Sequence, residues 1–284
     1  MTADVDDRPQ LRPATVLAAF RLLTEWVWLR ALLLVIVFAT ASTFLGRWQW
    51  GRHVDKDGMI GRVEANYSSP AVPLEQLLAT PATPLPAAQE WRQVRIGGSY
   101  DVARTTLVRN RSLNGQYGYE VLVPLRTGPG TAFVVDRGWL PNGRTGAEPD
   151  SLPAAPSGPV QLVVRLRPGE NPSGQTPPPG QAMRIDLPEL ASRWGVTTYQ
   201  AYGVLASESP APAVVPQLLP RPDLDQGPHL AYALQWWVFA VGGFGLLGYF
   251  GVREVQNRQL RARGIDPGAV RKRRSRPEPE EEEW

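Results

Sequence analysis

Imidazole is the scarcest side chain able to do chemistry here: the 284 residues include two histidines, His53 and His229. A neutral imidazole can give a lone pair to a metal centre. His229 opens the run His229-Leu230-Ala231-Tyr232-Ala233-Leu234-Gln235-Trp236. On a helix, Tyr232 and Trp236 follow it at offsets that keep all three on one face, within about 60° of arc. Such a face joins a ligating nitrogen to two aromatic surfaces that pack on a flat ring and exclude water. The bland alternative is that Pro228 starts the helix and His229 rests in a headgroup layer beside an aromatic belt. His53 is either a second ligand or an exposed polar residue.

A second group is Asp136-Arg137-Gly138-Trp139, read as the end of a strand. A guanidinium matches the shape of a carboxylate, so Arg137 can meet one on a ligand or partner. The alternative is an Asp136–Arg137 pair and a buried Trp139 that stabilise the turn, with Gly138 allowing an unusual backbone angle. A third group, Leu45-Gly46-Arg47-Trp48-Gln49, is followed by Arg52 and Lys56.

Other chemistries lack their parts. With no cysteine there is no disulfide, thiol nucleophile or thiolate metal site, and three methionines argue against copper carriage by sulfur. There is no GxSxG, HExxH or Gly-rich phosphate loop, so the chain is read as a non-enzyme. Residues 253–276 hold nine Arg or Lys against two acids, whereas residues 51–228 hold sixteen of each sign. The basic character is therefore a local tail and not a nucleic-acid face. Arginine outnumbers lysine 28 to two, as expected of a GC-rich bacterial genome.

These groups need elements to hold them. Residues 230–252 form 23 uncharged positions, enough to cross a bilayer core of about 30 Å. Residues 26–50 form a second span, with 15 uncharged positions at 31–45 and tryptophans near both ends. A cleaved signal peptide, with Ala39-Thr40-Ala41 as its small-residue site, is the rival reading of that segment. Arginines near both termini predict cytoplasmic tails at 1–25 and 253–284, the latter disordered, and an extracytoplasmic domain at 51–228. Strands are predicted at 93–100, 105–110, 119–125, 131–136, 160–166, 197–205 and 212–218, with a helix from Asp186 to Trp194 and a short one at 74–78. The expected fold is an antiparallel barrel or sandwich, α+β, between two transmembrane helices. Gly242, Gly245, Gly248 and Gly251, with Ala39, Ala41 and Ser42, offer small-residue surfaces for packing the helices on each other or on a partner helix.

Taken in order, the Leu45–Gln49 group, Gly118-Tyr119-Glu120-Val121-Leu122-Val123-Pro124-Leu125 with Asp136-Arg137-Gly138-Trp139, and the His229–Trp236 run resemble the surfeit-locus (Surf-one) family of cytochrome c oxidase assembly factors. The resemblance runs from about Leu45 to Tyr249. The proline-rich stretches 141–159 and 168–180 lie outside the pattern. The resemblance implies a bacterial plasma-membrane chaperone that assists haem a insertion into the oxidase catalytic subunit. It implies transient haem a binding with His229 as iron ligand; by the residue geometry above, Tyr232 and Trp236 would then pack beside the haem and Arg137 could meet a propionate. Trp48, Gln49, Arg137 and Trp139 are the further motif or partner contacts. Expected partners are the catalytic subunit or a respiratory supercomplex, haem a synthase, and lipid. The rival expectation is a permanent accessory subunit of a respiratory complex without cofactor.

Overall fold

Apolar residues run through the first helix, α1 (Trp26–Asn66), without a proline to stop it, and it carries through the β-branched run Val35-Ile36-Val37. It continues for 41 residues, well past the apolar segment, so the polar stretch after Gly51 is the same helix. The structure is a computed structural model describing residues 18, 20–144 and 148–268. The expected tails therefore lie largely outside the described residues, including the basic and acidic runs after Gly268. Two compact units are present: residues up to 55 together with those from 226 onward, and residues 56–225.

The first unit is a pair of helices, the N-terminal part of α1 and α3 (His229–Ala262). Their contacts pair early residues of one with late residues of the other, so they run antiparallel. Glu25 accepts two hydrogen bonds from Arg258, a Cβ on Gly243 would touch Val35 and Phe38, and Gln49 meets His229. Both helices are long and apolar enough to cross a membrane, and only 17% and 11% of their apolar windows are buried. Most of that apolar surface is thus left uncovered by the chain itself, unlike the core helix of a soluble domain.

The second unit is a β-barrel with one short helix. Its strands are β1 (Val72–Pro73), β2 (Gln93–Tyr100), β3 (Thr106–Leu113), β4 (Gln116–Gly128), β5 (Thr131–Pro141), β6 (Pro159–Arg167), β7 (Gln181–Ala182) and β8 (Thr197–Ser209). They follow the order β1-β2-β6-β8-β5-β4-β3-β7. Pairing of Ser99 and Tyr100 with Arg126 and Leu125 joins β2 to β4 and closes a five-stranded barrel β2-β6-β8-β5-β4. Closure removes two free sheet edges. Of the expected sandwich and barrel, the barrel is what forms. It is not wholly antiparallel: β5 and β8 run parallel, because α2 (Leu187–Trp194) and the long preceding segment return the chain to the starting end.

Alternation assigns the two faces. Even positions of β2 and β6 (Val94, Ile96, Val160, Leu162, Val164, Leu166) and odd positions of β4 and β5 (Val121, Val123, Leu125, Phe133, Val135) fill the interior. Leu122 and Val134, on the outer face of β4 and β5, pack instead under Leu187, Leu190 and Trp194 of α2. The predicted strand at 212–218 does not form. Gln217 alone pairs, with Trp139, since prolines at 210, 212 and 216 remove ladder donors. The short helix at 74–78 is a 3₁₀ turn, Leu74–Gln76.

Helix α2 follows its predicted signals. Asp186 caps it by accepting from the Glu189 amide at 3.1 Å, and Gly195 ends it at φ 66°. Asp186→Ala is expected to keep the barrel but lose about 0.5–2 kcal/mol of stability, read by chemical denaturation of the full chain in detergent. No measurable loss would mean that packing of Leu187 and Leu190 alone holds the helix.

Candidate functional site

In the helix pair, a Cβ on Gly46 would fall 2.4 Å from the Trp237 indole nitrogen. Only glycine lets that ring lie against the α1 backbone. Trp237 also approaches Trp50, ring centres 6.0 Å apart, and Trp50 approaches His53 at 5.7 Å. Nearly one turn beyond Gly46, Gln49 faces the first residue of α3. His229 Nδ1 donates to Gln49 Oε1 at 2.9 Å. An imidazole that donates through Nδ1 keeps its lone pair on Nε2, the tautomer a metal-ligating histidine needs. Both residues are half-buried.

The predicted neighbours are only partly assembled. Tyr232 is exposed, and Trp236 is half-buried and meets Phe239 edge-on at 5.9 Å. Trp48 is exposed on another face of α1, with the Arg52 guanidinium over its ring. Sequence singled out Gln49 through its motif, but not Gly46 and Trp237 as the pair that brings Gln49 to His229. Gly242, Gly245 and Gly248 do not face α1: a Cβ on any of them would meet nothing within 4 Å. Gly243 faces α1, and Gly251 is buried on α3.

In the barrel unit, Asp136-Arg137-Gly138-Trp139 does not end a strand. It lies inside β5, at an irregularity between the Glu120–Trp139 and Leu122–Asp136 pairs. Arg137 is wholly buried and turned inward, where its Nη2 donates to Glu208 Oε1 at 2.8 Å. Tyr100 donates its hydroxyl to the other Glu208 oxygen at 3.0 Å, and its ring lies 5.3 Å from the guanidinium carbon. Burial, then the Glu208 charge, pushes the Tyr100 phenol far above its ordinary range. The expected Asp136–Arg137 pair is therefore replaced by Arg137–Glu208, and an external carboxylate or propionate has no access to Arg137 while the barrel is closed. Trp139 is buried as expected, donating its indole NH to the Arg111 carbonyl at 2.9 Å, and Gly138 has φ 128°.

Asp136 points to the opposite face. Oδ1 accepts from the Gly138 amide at 3.0 Å, and Oδ2 is buried without a hydrogen-bond partner. Burial above all, then the Glu120 charge, raises this carboxyl well above the usual range. Glu120 is raised too, chiefly by burial, although Arg111 pairs with it at 3.0 Å and opposes the shift. Arg111 also donates to Glu170 at 2.7 Å. Burial works to raise Glu170, but the Arg111 and Ile185 hydrogen bonds outweigh it and hold the group below its usual range.

A β-barrel domain together with two helices long and apolar enough to cross a membrane marks a membrane-associated class of protein. The chain belongs to the SURF1 family, whose model matches residues 36–241 and which is linked to cytochrome oxidase assembly. It is 31% identical over 247 residues to an uncharacterized SURF1-like protein of Mycobacterium bovis, covering 84% of this chain and 89% of that one. The same identity and coverage hold for an uncharacterized SURF1-like protein of Mycobacterium tuberculosis. These relatives come from GC-rich actinobacteria, in keeping with the arginine bias.

Glu208→Ala leaves Arg137 charged and unpaired in the barrel, so it is expected to cost about 3–5 kcal/mol. A double Arg137→Met, Glu208→Leu variant should recover most of that loss in the same denaturation series; failure to recover would mean that shape, not charge, dominates. Asp136 and Glu120 carry raised folded-state pKa values. Their stabilisation is full below the unfolded carboxylate range and is lost as pH rises through the folded values. Asp136→Asn should therefore fold and flatten the fall in stability as pH rises above the unfolded carboxylate range. An unchanged slope in urea titrations at several pH values would show that Asp136 is not the proton carrier.

Proposed function

We propose that this chain is a bacterial plasma-membrane assembly factor for haem–copper cytochrome c oxidase, with His229 holding haem a on its way into the catalytic subunit. The observation that carries the reading is the His229 Nδ1 to Gln49 Oε1 hydrogen bond, which leaves Nε2 available to iron. Membership of a family linked to oxidase assembly supports the same reading. The residues suit the cargo. His229 would supply one axial nitrogen through Nε2, and Tyr232 and Trp236 follow it on α3 as flat apolar surfaces. Haem a supplies the oxidase with its redox iron; for this chain it is cargo.

A single protein nitrogen suits a carrier that must release what it holds. Both helices are read as transmembrane, with the arginine-bearing ends in the cytoplasm and the barrel outside. Glu25 and Arg258, paired beyond the apolar windows, then lie at the cytoplasmic surface. From Glu25 to Gln49 a helix rises about 36 Å, which spans the hydrocarbon core and part of one interface. His229 and Gln49 would then sit at the outer surface. The uncovered Gly242, Gly245 and Gly248 positions of α3 are suited to close approach by a helix of the catalytic subunit, of haem a synthase or of a respiratory supercomplex. The chain is read as working without catalysis.

The test is to co-express the full chain with a haem a-producing pathway, purify it, and record absorbance spectra. Wild type should carry haem a, His229→Ala should lose it, and Gln49→Leu should retain it with affinity lowered about 10–100-fold. Wild type that purifies without haem would leave a role in protein contacts alone. Full retention in His229→Ala would move the ligand elsewhere, and an unchanged spectrum in His53→Ala would remove that residue from the site.

A further inference from the structure

Away from the helix pair, the barrel domain carries a polar cleft of about 420 Å³ between β3 and the segment 168–184. Arg109, Asn110 and Arg111 form one wall, and Pro172, Ser173, Gln175, Met183 and Arg184 the other. A second hollow of about 380 Å³ adjoins it, sharing Pro172 and Arg184 and reaching Glu170. Three arginines thus line one polar space at the end of a proline-rich segment.

The wall is built by a bulge. Between the Val108–Glu120 and Arg111–Gly118 pairs, β3 advances three residues while β4 advances two. The extra residue, with Asn110 at φ 60°, breaks the alternation and brings Arg109 and Arg111 to the same cleft. The three arginines are not equivalent. Arg111 is committed to Glu120 and Glu170. Arg184 is exposed and its charge helps hold Glu170 below the usual range. Arg109 makes no ion pair among the described residues, and its Nε is buried with no hydrogen-bond partner. A buried guanidinium donor without an acceptor leaves its desolvation uncompensated.

We infer that this cleft binds a carboxylate-bearing ligand, with Arg109 and Arg184 as its contacts and Arg111 as the positioning residue braced by Glu120 and Glu170. Arg111 is held by Glu120 and Glu170, whereas Arg109 and Arg184 make no ion pair among the described residues. A carboxylate matches the fork of a guanidinium, and an acceptor beside Arg109 offsets the desolvation of its unpaired side chain. The bulge stiffens one wall and the prolines restrict the other, so little chain entropy is lost on binding. The site belongs to the barrel domain and stands whether or not His229 carries haem a.

The carboxylate can come from an acidic segment of a protein partner or from a small organic acid. Calorimetric titration of the full chain in detergent with acetyl-Glu-Glu-Glu-amide, succinate and inorganic phosphate distinguishes them. Saturable binding of the peptide is expected, with affinity lowered at least tenfold in Arg109→Gln and in Arg184→Gln and unchanged in an Arg126→Gln control. Succinate binding as tightly as the peptide would assign the small-acid source; peptide binding alone would assign the protein source. Arg109→Lys, which keeps the charge but not the fork, should still weaken binding several-fold. Should Arg109→Gln fail to fold, the exposed Arg184 carries the test, with far-UV circular dichroism reporting the fold of each variant. No saturable carboxylate binding, equal loss in the Arg126 control, no loss in the Arg184 variant, or a preference for phosphate would each overturn the assignment.

Discussion

The approach of the Trp237 ring to the Gly46 backbone is the constraint on which the helix pair depends. Any side chain at position 46 would hold the two helices apart at that point. Once the ring is seated, helix geometry determines what lies above and below it. Ala233 is buried one turn before Trp237, and Ser42 and Ala39 are buried one and two turns before Gly46. Gln49 is brought level with His229 at one end, and Glu25 with Arg258 at the other. The imidazole tautomer is thus a consequence of register: shift α3 by one residue and the amide no longer meets the ring. Apolar contacts between membrane helices gain little from the hydrophobic effect, so close packing and a few polar links have to set that register.

The barrel treats its charges by a different logic. Arg137 and Glu208 sit among apolar side chains, where desolvation makes a lone charge costly and a matched pair only neutral to moderately favourable. Tyr100 and the Pro153 carbonyl add acceptor and donor matches that a bare pair would lack. Because the partners lie on β5 and β8, which run parallel, their pairing requires the correct crossover through α2. The pair therefore discriminates between topologies more than it adds stability. Asp136, on the outer face of the same strand, is treated differently: burial raises its carboxyl well above the usual range.

How far the sequence could be read followed from locality. Strand β2 was predicted at its full length because Gln93–Tyr100 alternates and ends at polar residues. The cap of α2 was equally local. Strand β8 was cut short at Leu205, and Glu208 was missed, for a specific reason. Opposite Val163 and Val164, β8 takes one extra residue, so the inward face passes from odd positions such as Leu205 to the even position of Glu208. No alternation rule places that residue inside. The Asp136–Arg137 pair was expected because neighbours in sequence seem natural partners, yet adjacent strand residues point to opposite faces. Gly46 and Trp237 were hidden differently, since their contact joins segments 191 residues apart and neither helix signals it alone.

Gln49 has a second consequence for His229. An amide oxygen accepts a hydrogen bond from Nδ1 without adding charge, whereas a carboxylate in that place would stabilise imidazolium and raise the basicity of Nε2. A neutral partner orders the ring and leaves the lone pair on Nε2, but keeps the nitrogen a moderate donor. For a resident metal site that would be a weakness. On the proposed reading, in which His229 first holds haem a and then yields it, moderate affinity is an advantage, because each 1.4 kcal/mol of extra binding slows release about tenfold when association is unchanged. An amide at position 49, in place of a carboxylate, is therefore in keeping with the proposed carrier role.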